Sequence, residues 1–174
     1  MPKETHTDIC KESIFSAIYQ KYLRDLCSFL YYRYGEQLNP QDKAQEAFIK
    51  LWENCKKVTE DKAKSFLFTT ANNMMLNEAK HQKVVLKYAK DTPKSHTNES
   101  PEFLLQEQEY LKQYQNALAS LTEEQRVAFL LNKAEGKKHS EIAEMLGVTQ
   151  KVVEYRIYTA FKKLKEELAN FSIK

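Results

Sequence analysis

The sequence predicts an all-α protein made of two small helical domains. Glycine and proline are rare, with three and four copies in 174 residues, and no proline follows Pro101. The apolar residues between these interruptions recur with helical periodicity. Because glycine and proline interrupt helices, this distribution favours long helices that are separated at a few defined points.

The first predicted domain covers residues 11–88. Apolar residues recur at steps of three and four from Ile14 onward, which predicts one long helix that Gly35 ends. Pro40 begins a second helix, PQDKAQEAFIKLWENC, and a third is expected to start near Ser65 after the lysine-rich loop KKVTEDKAK. The first domain is therefore predicted to contain three helices.

A linker and a second domain follow. Residues 89–100 are polar and have no apolar period, which predicts a flexible linker before the second domain, residues 101–170. The tripeptide SPE at Ser100 supplies a cap, a proline at the first helical position and an early acid. The stretch TEEQ at Thr122 is a capping-box pattern that predicts the start of another helix, which Gly136 ends.

The stretch SEIAEMLGVTQKVVEYRIY, which begins at Ser140, has the residue types of a helix-turn-helix. Ala143 is small enough to let two helices cross closely, and Val153 is placed to pack back towards it. Gly147 can adopt the positive φ that ends the first helix. We expect Ser140 to cap the first helix and Thr149 to cap the second, which would enter a DNA major groove.

The second helix of this motif carries the candidate contacts to duplex DNA. Seven basic and three acidic residues occur between Lys137 and Lys165, so the local charge is positive. The alternative is a helical hairpin whose lysines are only solvated. The candidates for base edges are Thr149, Gln150, Lys151, Glu154, Tyr155 and Tyr158. The candidates for phosphates are Arg156, Lys162, Lys163 and Lys165.

Composition excludes several other classes of function. The net charge of +3 is too small to identify a nucleic-acid partner by itself. The three cysteines form no CxxC pair and the four histidines have no metal-like spacing, so no structural disulfide, metal or cofactor is expected. The chain has no glycine-rich phosphate loop and no nucleophile with its base, so no enzyme is expected.

The polarity of the chain predicts where it acts. No apolar run approaches the roughly 20 residues of a membrane span. The start, MPKETHTDICKE, is too polar for a signal peptide. We therefore expect a cytoplasmic protein without membrane insertion, in a compartment that keeps thiols reduced.

Longer stretches of the chain are more specific than any single motif. The segments FSAIYQKYLRDLCSFLYYRYG, DKAQEAFIKLWE and KSFLFTTANNMMLNEAK resemble region 2 of the extracytoplasmic function (ECF) group of the sigma-70 family. The segment ALASLTEEQRVAFLLNKAEGKKHSEIAEMLGVTQKVVEYRIYTAFKKLKEEL resembles region 4 of that family. The resemblance covers nearly the whole chain, and it implies a bacterial factor that directs promoter-specific transcription initiation by RNA polymerase.

The resemblance also implies a surface that binds core RNA polymerase. In the family, the second helix of region 2 docks on the clamp helices of the largest polymerase subunit, and another part of the polymerase contacts region 4. An acidic and amide face suits a basic partner. The alternative is a core helix with a solvated face. The residues carried over are Asp42, Gln45, Glu46 and Lys50.

Two promoter elements are implied as ligands. The helix after Thr149 would recognise the minus-35 element, while the loop before the third helix, with that helix, would open and hold the minus-10 element. The chain departs from the family where an arginine commonly precedes the asparagine, because Asn72 stands there. The minus-10 candidates are Lys56, Lys57, Lys62, Lys64, Asn72, Asn73, Lys80 and Lys83.

Two other functions compete with this interpretation. A stand-alone DNA-binding regulator would bind duplex DNA tightly without polymerase and would use the first domain for dimerisation or sensing. A pure interaction protein, such as one that sequesters another regulator, would not contact DNA. The lysine-rich loop beside QEAFIKLWE favours a sigma factor over both. Because such factors often answer to an anti-sigma factor, that protein is a further candidate partner.

Overall fold

The computed structural model describes residues 8–80 and 101–169, with the side chains of the second range described from residue 105. Over these ranges it contains seven α-helices and no strand, which confirms the predicted all-α class. The chain divides into two compact units, Met1–Leu86 and Lys87–Lys174. The predicted linker, residues 89–100, lies outside the described residues.

Three long helices form the first unit. Gly35 ends the first of them with a φ of 78°, as the sequence predicts. Pro40 stands at the start of the second, where its missing N–H costs no intrahelical hydrogen bond. The elements are α1, Glu12–Tyr34; a short 3-10 helix, Glu36–Leu38; α2, Pro40–Glu53; and α3, Glu60–Ala79.

The first two helices pack against each other in antiparallel directions. The ring of Phe15, near the start of α1, lies 5.0 Å from the ring of Trp52, near the end of α2. Further along the pair, the rings of Tyr19 and Phe48 lie 4.8 Å apart. These edge-on aromatic contacts hold the start of α1 against the end of α2.

The third helix closes this core. Phe29 of α1 lies 5.4 Å from Phe68 of α3, measured between ring centroids. Lys43 near the start of α2 lies 3.2 Å from Glu78 near the end of α3, so α2 and α3 are also antiparallel. The side chains that are fully buried between the three helices include Leu26, Leu30, Phe48, Leu51, Leu67 and Met75.

The start of α3 differs from the prediction. The helix begins at Glu60 rather than near Ser65, so Lys62 and Lys64 lie on the helix and not in the preceding loop. Thr59 has the extended backbone of a residue that precedes a helix, with φ −85° and ψ 157°. Two acidic side chains in the first turn interact favourably with the positive end of the helix dipole and so stabilise the helix start. Apolar periodicity does not reveal this contribution.

The expectation of no structural disulfide is wrong. Cys10 and Cys55 form one, with their Cα atoms 5.1 Å apart and a sequence separation of 45. The antiparallel packing of α1 and α2 brings the turn before α1 against the turn after α2, which cysteine spacing alone does not reveal. The third cysteine, Cys27, is a free, half-buried thiol.

Four helices form the second unit. The capping box at the start of the second of them is confirmed, because the Gln125 N–H donates to the Thr122 hydroxyl at 3.2 Å. The Thr122 N–H in turn donates to the Gln125 side-chain oxygen at 3.1 Å. The helices are α4, Pro101–Ser120; α5, Glu123–Lys133; α6, His139–Leu146; and α7, Gln150–Ala169.

The helix α6 begins two residues earlier than predicted, and Ser140 does not cap it. Lys138 precedes the helix, and its N–H donates to the Glu141 carboxylate at 2.8 Å. A lysine side chain has no acceptor for the first N–H groups of a helix, so this backbone-to-carboxylate bond is what orders the helix start. The serine is instead part of the first turn.

The last helix, α7, contacts the other three. Its inner face is buried against α5 and α6 through Val153, Ile157, Ala160 and Leu164. The Gln125 amide donates to the Thr159 hydroxyl at 3.0 Å and so joins α5 to α7. The Lys163 ammonium donates to the Ser120 carbonyl at the end of α4 at 2.6 Å.

Gly147 ends α6 in the left-handed conformation, with φ 65° and ψ 34°, as predicted. A Cβ added there would meet no atom within 4 Å, so the backbone conformation and not the available space selects glycine. The turn after Gly147 is closed by the Val148 N–H, which donates to the Ala143 carbonyl at 3.1 Å.

We expect Gly147→Val to destabilise the second unit by about 1–2 kcal/mol, because a β-branched side chain resists positive φ. Asparagine tolerates this conformation better, so Gly147→Asn should cost less. Hydrogen exchange of the amides in residues 139–169 measures both changes. Equal protection in the two variants would contradict this explanation.

Candidate nucleic-acid interface

The helices α6 and α7 form the helix-turn-helix that the sequence predicts. Ala143 and Val153, the two side chains expected at the crossing, are both buried. The Val152 N–H lies 3.4 Å from the Thr149 hydroxyl, so Thr149 is placed as the cap of α7. The turn therefore fixes the direction in which α7 leaves the corner.

The outer face of α7 is open to solvent. Its two tyrosines, Tyr155 and Tyr158, are 69% and 66% exposed, which is unusual for aromatic rings unless they meet a partner. Hydroxyls, an amide and ammonium groups on one face supply donors and acceptors for base edges and phosphates. The predicted contact residues that are exposed are Thr149, Gln150, Lys151, Glu154, Tyr155, Tyr158, Lys162 and Lys165.

Arg156 is placed differently from the other α7 candidates. Its side chain is 18% exposed, and its guanidinium lies 3.2 Å from the Glu124 carboxylate of α5. The side chain therefore fits helix packing better than a phosphate contact. Glu154, although exposed, lies 3.7 Å from His139 of α6. A second phosphate candidate, Lys163, donates to the end of α4.

The helix α2 carries the four residues that the sequence analysis predicts to contact core RNA polymerase. Asp42 and Gln45 are exposed, whereas Glu46 and Lys50 are half-buried. Ile49, which sequence reasoning missed, lies between these residues and is 59% exposed. Its position falls outside the apolar stripe of α2, and that is the signal that would have identified it. An apolar side chain on an open helix face is one that a docked partner would bury.

Lys43 sets the charge at one edge of this face. Its ammonium lies 3.4 Å from Glu46 on the same helix and 3.2 Å from Glu78 of α3. The hydrogen bond that the Lys43 ammonium donates to the Glu78 carboxylate raises the pKa of Lys43, with a smaller contribution from Glu46. The ion pair between Lys43 and Glu78 holds α2 against α3, and the Lys43 ammonium also compensates part of the Glu46 charge.

A turn of residues 54–59 connects α2 to α3 and carries exposed cations. The N–H groups of Lys57 and Val58 both donate to the Asn54 carbonyl, at 2.8 and 3.1 Å. Lys64 is half-buried, with its ammonium 5.9 Å from the centre of the Tyr22 ring. The predicted cations that are exposed around this turn and at the end of α3 are Lys56, Lys57, Lys62 and Lys80; Lys83 lies outside the described residues.

The two asparagines of α3 have different environments. The carbonyl oxygen of Asn72 accepts a hydrogen bond of 2.6 Å from the buried Tyr34 hydroxyl, which fixes the side chain against α1. Asn73 is exposed. The residue that stands where the family commonly has arginine therefore stabilises the packing of α1 and α3, and Asn73 is the more accessible of the pair.

Two family models match the chain. The model described as Sigma-70 region 2 matches residues 18–85, and the model described as Sigma-70, region 4 matches residues 111–164. Together the two matches span most of the sequence. The chain belongs to the sigma-70 family. No curated protein was found to match it.

As a sigma-70 family member, the protein has a role in transcription initiation, and its family consists of regulatory, non-enzymatic transcription factors. The exposed face of α2 lies within region 2, and the helix-turn-helix lies within region 4. These regions imply binding to core RNA polymerase and promoter DNA.

Membrane-spanning helices and metal sites are two further features to consider in this sigma-70 family protein. In residues 8–80 and 101–169, no helix is long and apolar enough to span a membrane. The same part of the chain contains no group of three or more histidine, cysteine, aspartate or glutamate side chains arranged for a metal ion.

Proposed function

We propose that the protein is a sigma factor of the ECF type, which binds core RNA polymerase and directs it to specific promoters. The observation that carries this proposal is the order of the two matched regions, separated only by residues 86–110. We assign residues 11–88 to region 2, residues 89–100 to the linker and residues 101–170 to region 4. The protein would act in the cytoplasm, where it would meet the polymerase and the promoter.

In this proposal α7 enters the major groove of the minus-35 element. The exposed tyrosines, Gln150 and Lys151 on its first turns support base recognition, and Lys162 supports binding of phosphate. Arg156 would act indirectly, since its contact with Glu124 orients α7 on α5. Binding should weaken with added salt, because each phosphate contact releases counterions.

The minus-10 element would be held by the α2–α3 turn and by α3. The exposed lysines of this region would contact the strand backbone, with Asn73 beside them. Asn72 would support this surface through its bond to Tyr34 rather than contact DNA. The cations that we assign to this surface are Lys56, Lys57, Lys62, Lys64, Lys80 and Lys83.

The exposed face of α2 would dock on the clamp helices of the polymerase. Asp42, Gln45 and Glu46 would orient the encounter, with Lys50 at the margin and Ile49 as the apolar contact. Another part of the polymerase would contact region 4. An anti-sigma factor is a further proposed partner, which would act by covering these same faces.

Transcription with purified core polymerase on a promoter library tests the proposed function. Adding the protein should produce new start sites that share sequence near the minus-10 and minus-35 positions. The same samples show by gel filtration whether the protein and core polymerase form a complex. If no new start site appears and no complex forms, the proposal is wrong.

Gln45→Ala together with Glu46→Ala should weaken binding to core polymerase by about tenfold, the loss of roughly 1.4 kcal/mol of interface energy. Fluorescence anisotropy of the labelled full chain measures this affinity. Lys151→Ala is the matched control, which should weaken binding to promoter duplex and leave core binding unchanged. Loss of both activities in either variant would contradict the assignment of separate surfaces.

A further inference from the structure

The disulfide joins two turns at one end of the first unit. Before α1, the N–H groups of Lys11 and Cys10 donate to the carbonyl and carboxylate oxygens of Asp8, each at 3.0 Å. After α2, the Cys55 N–H donates to the Trp52 carbonyl at 3.1 Å. The bond between the cysteines is therefore the covalent link between these two otherwise locally ordered turns.

The position of the bond makes it accessible to small reagents. Both cysteines are partly exposed, to the same class of exposure as Cys27, although the neighbouring Ile9 is fully buried. A partly exposed disulfide is more labile than a buried one, because a thiolate can approach one sulfur along the axis of the bond. Cys27 differs, since burial raises the pKa of its thiol and so reduces its thiolate fraction.

Whether an accessible disulfide persists depends on the redox state of its compartment, and this step rests on the proposed function. A protein that works with RNA polymerase acts in the cytoplasm, where glutathione-type thiols keep most cysteines reduced. Disulfides in that compartment are usually transient and catalytic or redox-sensing. A partly exposed disulfide on such a protein is therefore better explained by exchange than by permanent structure.

We propose that Cys10 and Cys55 form a reversible thiol–disulfide exchange site for low-molecular-weight thiols and disulfides, and that its closed form holds the α2–α3 turn ready for promoter DNA. Cys55 directly precedes Lys56 and Lys57, which are exposed cations of that turn. Fixing a loop before binding reduces the entropy lost on binding, so the closed form binds DNA more tightly.

The exchange proceeds in two balanced steps. A small thiolate attacks one sulfur of the bond, forms a mixed disulfide with that cysteine and releases the other cysteine as a thiolate. A second small thiolate then attacks the small molecule's sulfur in this mixed disulfide, which forms the small-molecule disulfide and releases the remaining protein cysteine as a thiolate. Two electrons and two protons pass from the small thiols to the protein, which leaves Cys10 and Cys55 as thiols and the small molecule as its disulfide. Oxidation is the reverse reaction.

Opening the bond leaves the three-helix core in place. The contacts of Phe15 with Phe48 and Trp52, and of Tyr19 with Phe48, hold α1 against α2 without the sulfur atoms. The backbone hydrogen bonds to the Asn54 carbonyl also remain. The turn is then no longer cross-linked to the segment before α1. The effect of reduction is therefore concentrated on the α2–α3 turn.

The experiment begins with the chemistry of the bond. The full-length protein is equilibrated with mixtures of reduced and oxidised glutathione, and free thiols are alkylated and located by mass spectrometry. The bond should open under excess reduced glutathione in folded protein and close again on oxidation, while Cys27 reacts more slowly. A bond that never forms, or that opens only in denaturant, would overturn the proposal.

The second arm measures function on the same two forms. Oxidised and reduced wild-type protein are compared in binding core polymerase and in forming open complexes on a promoter. Oxidation should increase open-complex formation roughly fivefold, as expected for ordering one short turn, and change core binding less than twofold. Equal activity of the two forms would overturn the regulatory part of the proposal.

Cysteine variants provide the controls. Cys27→Ser should keep the full redox response, whereas Cys10→Ser and Cys55→Ser should behave like the reduced protein under all conditions. If neither form of the wild type directs initiation, the proposed function fails, while the alkylation result still decides whether the exchange site exists. Comparing two redox forms of one sequence also avoids dependence on how well each variant folds.

Discussion

Ile49→Asp is expected to weaken binding of the protein to core RNA polymerase by roughly 30-fold, about 2 kcal/mol, the loss typical of a central interface residue. Ile49 is 59% exposed among the polar residues of α2, so it would be buried when that face docks. An aspartate there would lose the apolar contact and would have to be desolvated. Anisotropy of the labelled full chain titrated with core polymerase measures the change.

The matched control for this variant is Leu105→Asp. Leu105 on α4 is 60% exposed, so the substitution makes the same chemical change at nearly the same exposure on the other unit. It should leave core binding within about twofold of the wild type. A milder change, Ile49→Ala, should show an intermediate loss, since it removes apolar area without adding charge. Equal losses for both aspartate variants would show that Ile49 is not an anchor of the interface.

Phe48→Ala is expected to lower the free energy of unfolding of the first unit by about 3–5 kcal/mol, the usual cost of removing a core aromatic side chain. Phe48 is almost completely buried and contacts the rings of Phe15 and Tyr19 at centroid distances of 6.3 and 4.8 Å. Its removal leaves a cavity between α1 and α2, and it also removes both edge-on ring contacts.

Denaturant unfolding followed by tryptophan fluorescence measures this loss. Trp52 is the single tryptophan of the chain and lies beside Phe15 in the first unit, so its emission reports that unit. The control is Ile49→Ala, one position further along α2 but exposed, which should change stability by less than about 0.5 kcal/mol. A similar loss for both variants would show that burial does not decide the cost.

The sequence predicts helix boundaries well where one residue is chemically required. Gly35 and Gly147 adopt positive φ at helix ends, and Thr122 forms the predicted capping box, because few other residues can fill these roles. The start of α3 was missed because its first turn is charged and its stability comes from the helix dipole and from packing. The Cys10–Cys55 bond was missed because it depends on how α1 and α2 pack.

The candidate interaction surfaces divide in the same way, into features that the helical period determines and features that helix packing determines. Exposure of Gln45, Lys151 and Tyr155 follows from helical periodicity, which places them opposite the buried stripes. The contacts of Arg156 with Glu124 and of Asn72 with Tyr34 depend on neighbouring helices, so periodicity alone could not reveal them. Residues at the boundary between buried and exposed faces are therefore the ones for which the structure adds most.

The first turn of α5 has a consequence for promoter choice. Gln125 closes the capping box with one end of its amide and donates to Thr159 of α7 with the other, while Glu124 binds Arg156 one turn away. These contacts set the rotation of α7 about its own axis. In the proposed complex with promoter DNA, that angle would decide which side chains point at the base pairs, so substitutions at Glu124 or Gln125 should shift sequence preference without any contact to DNA.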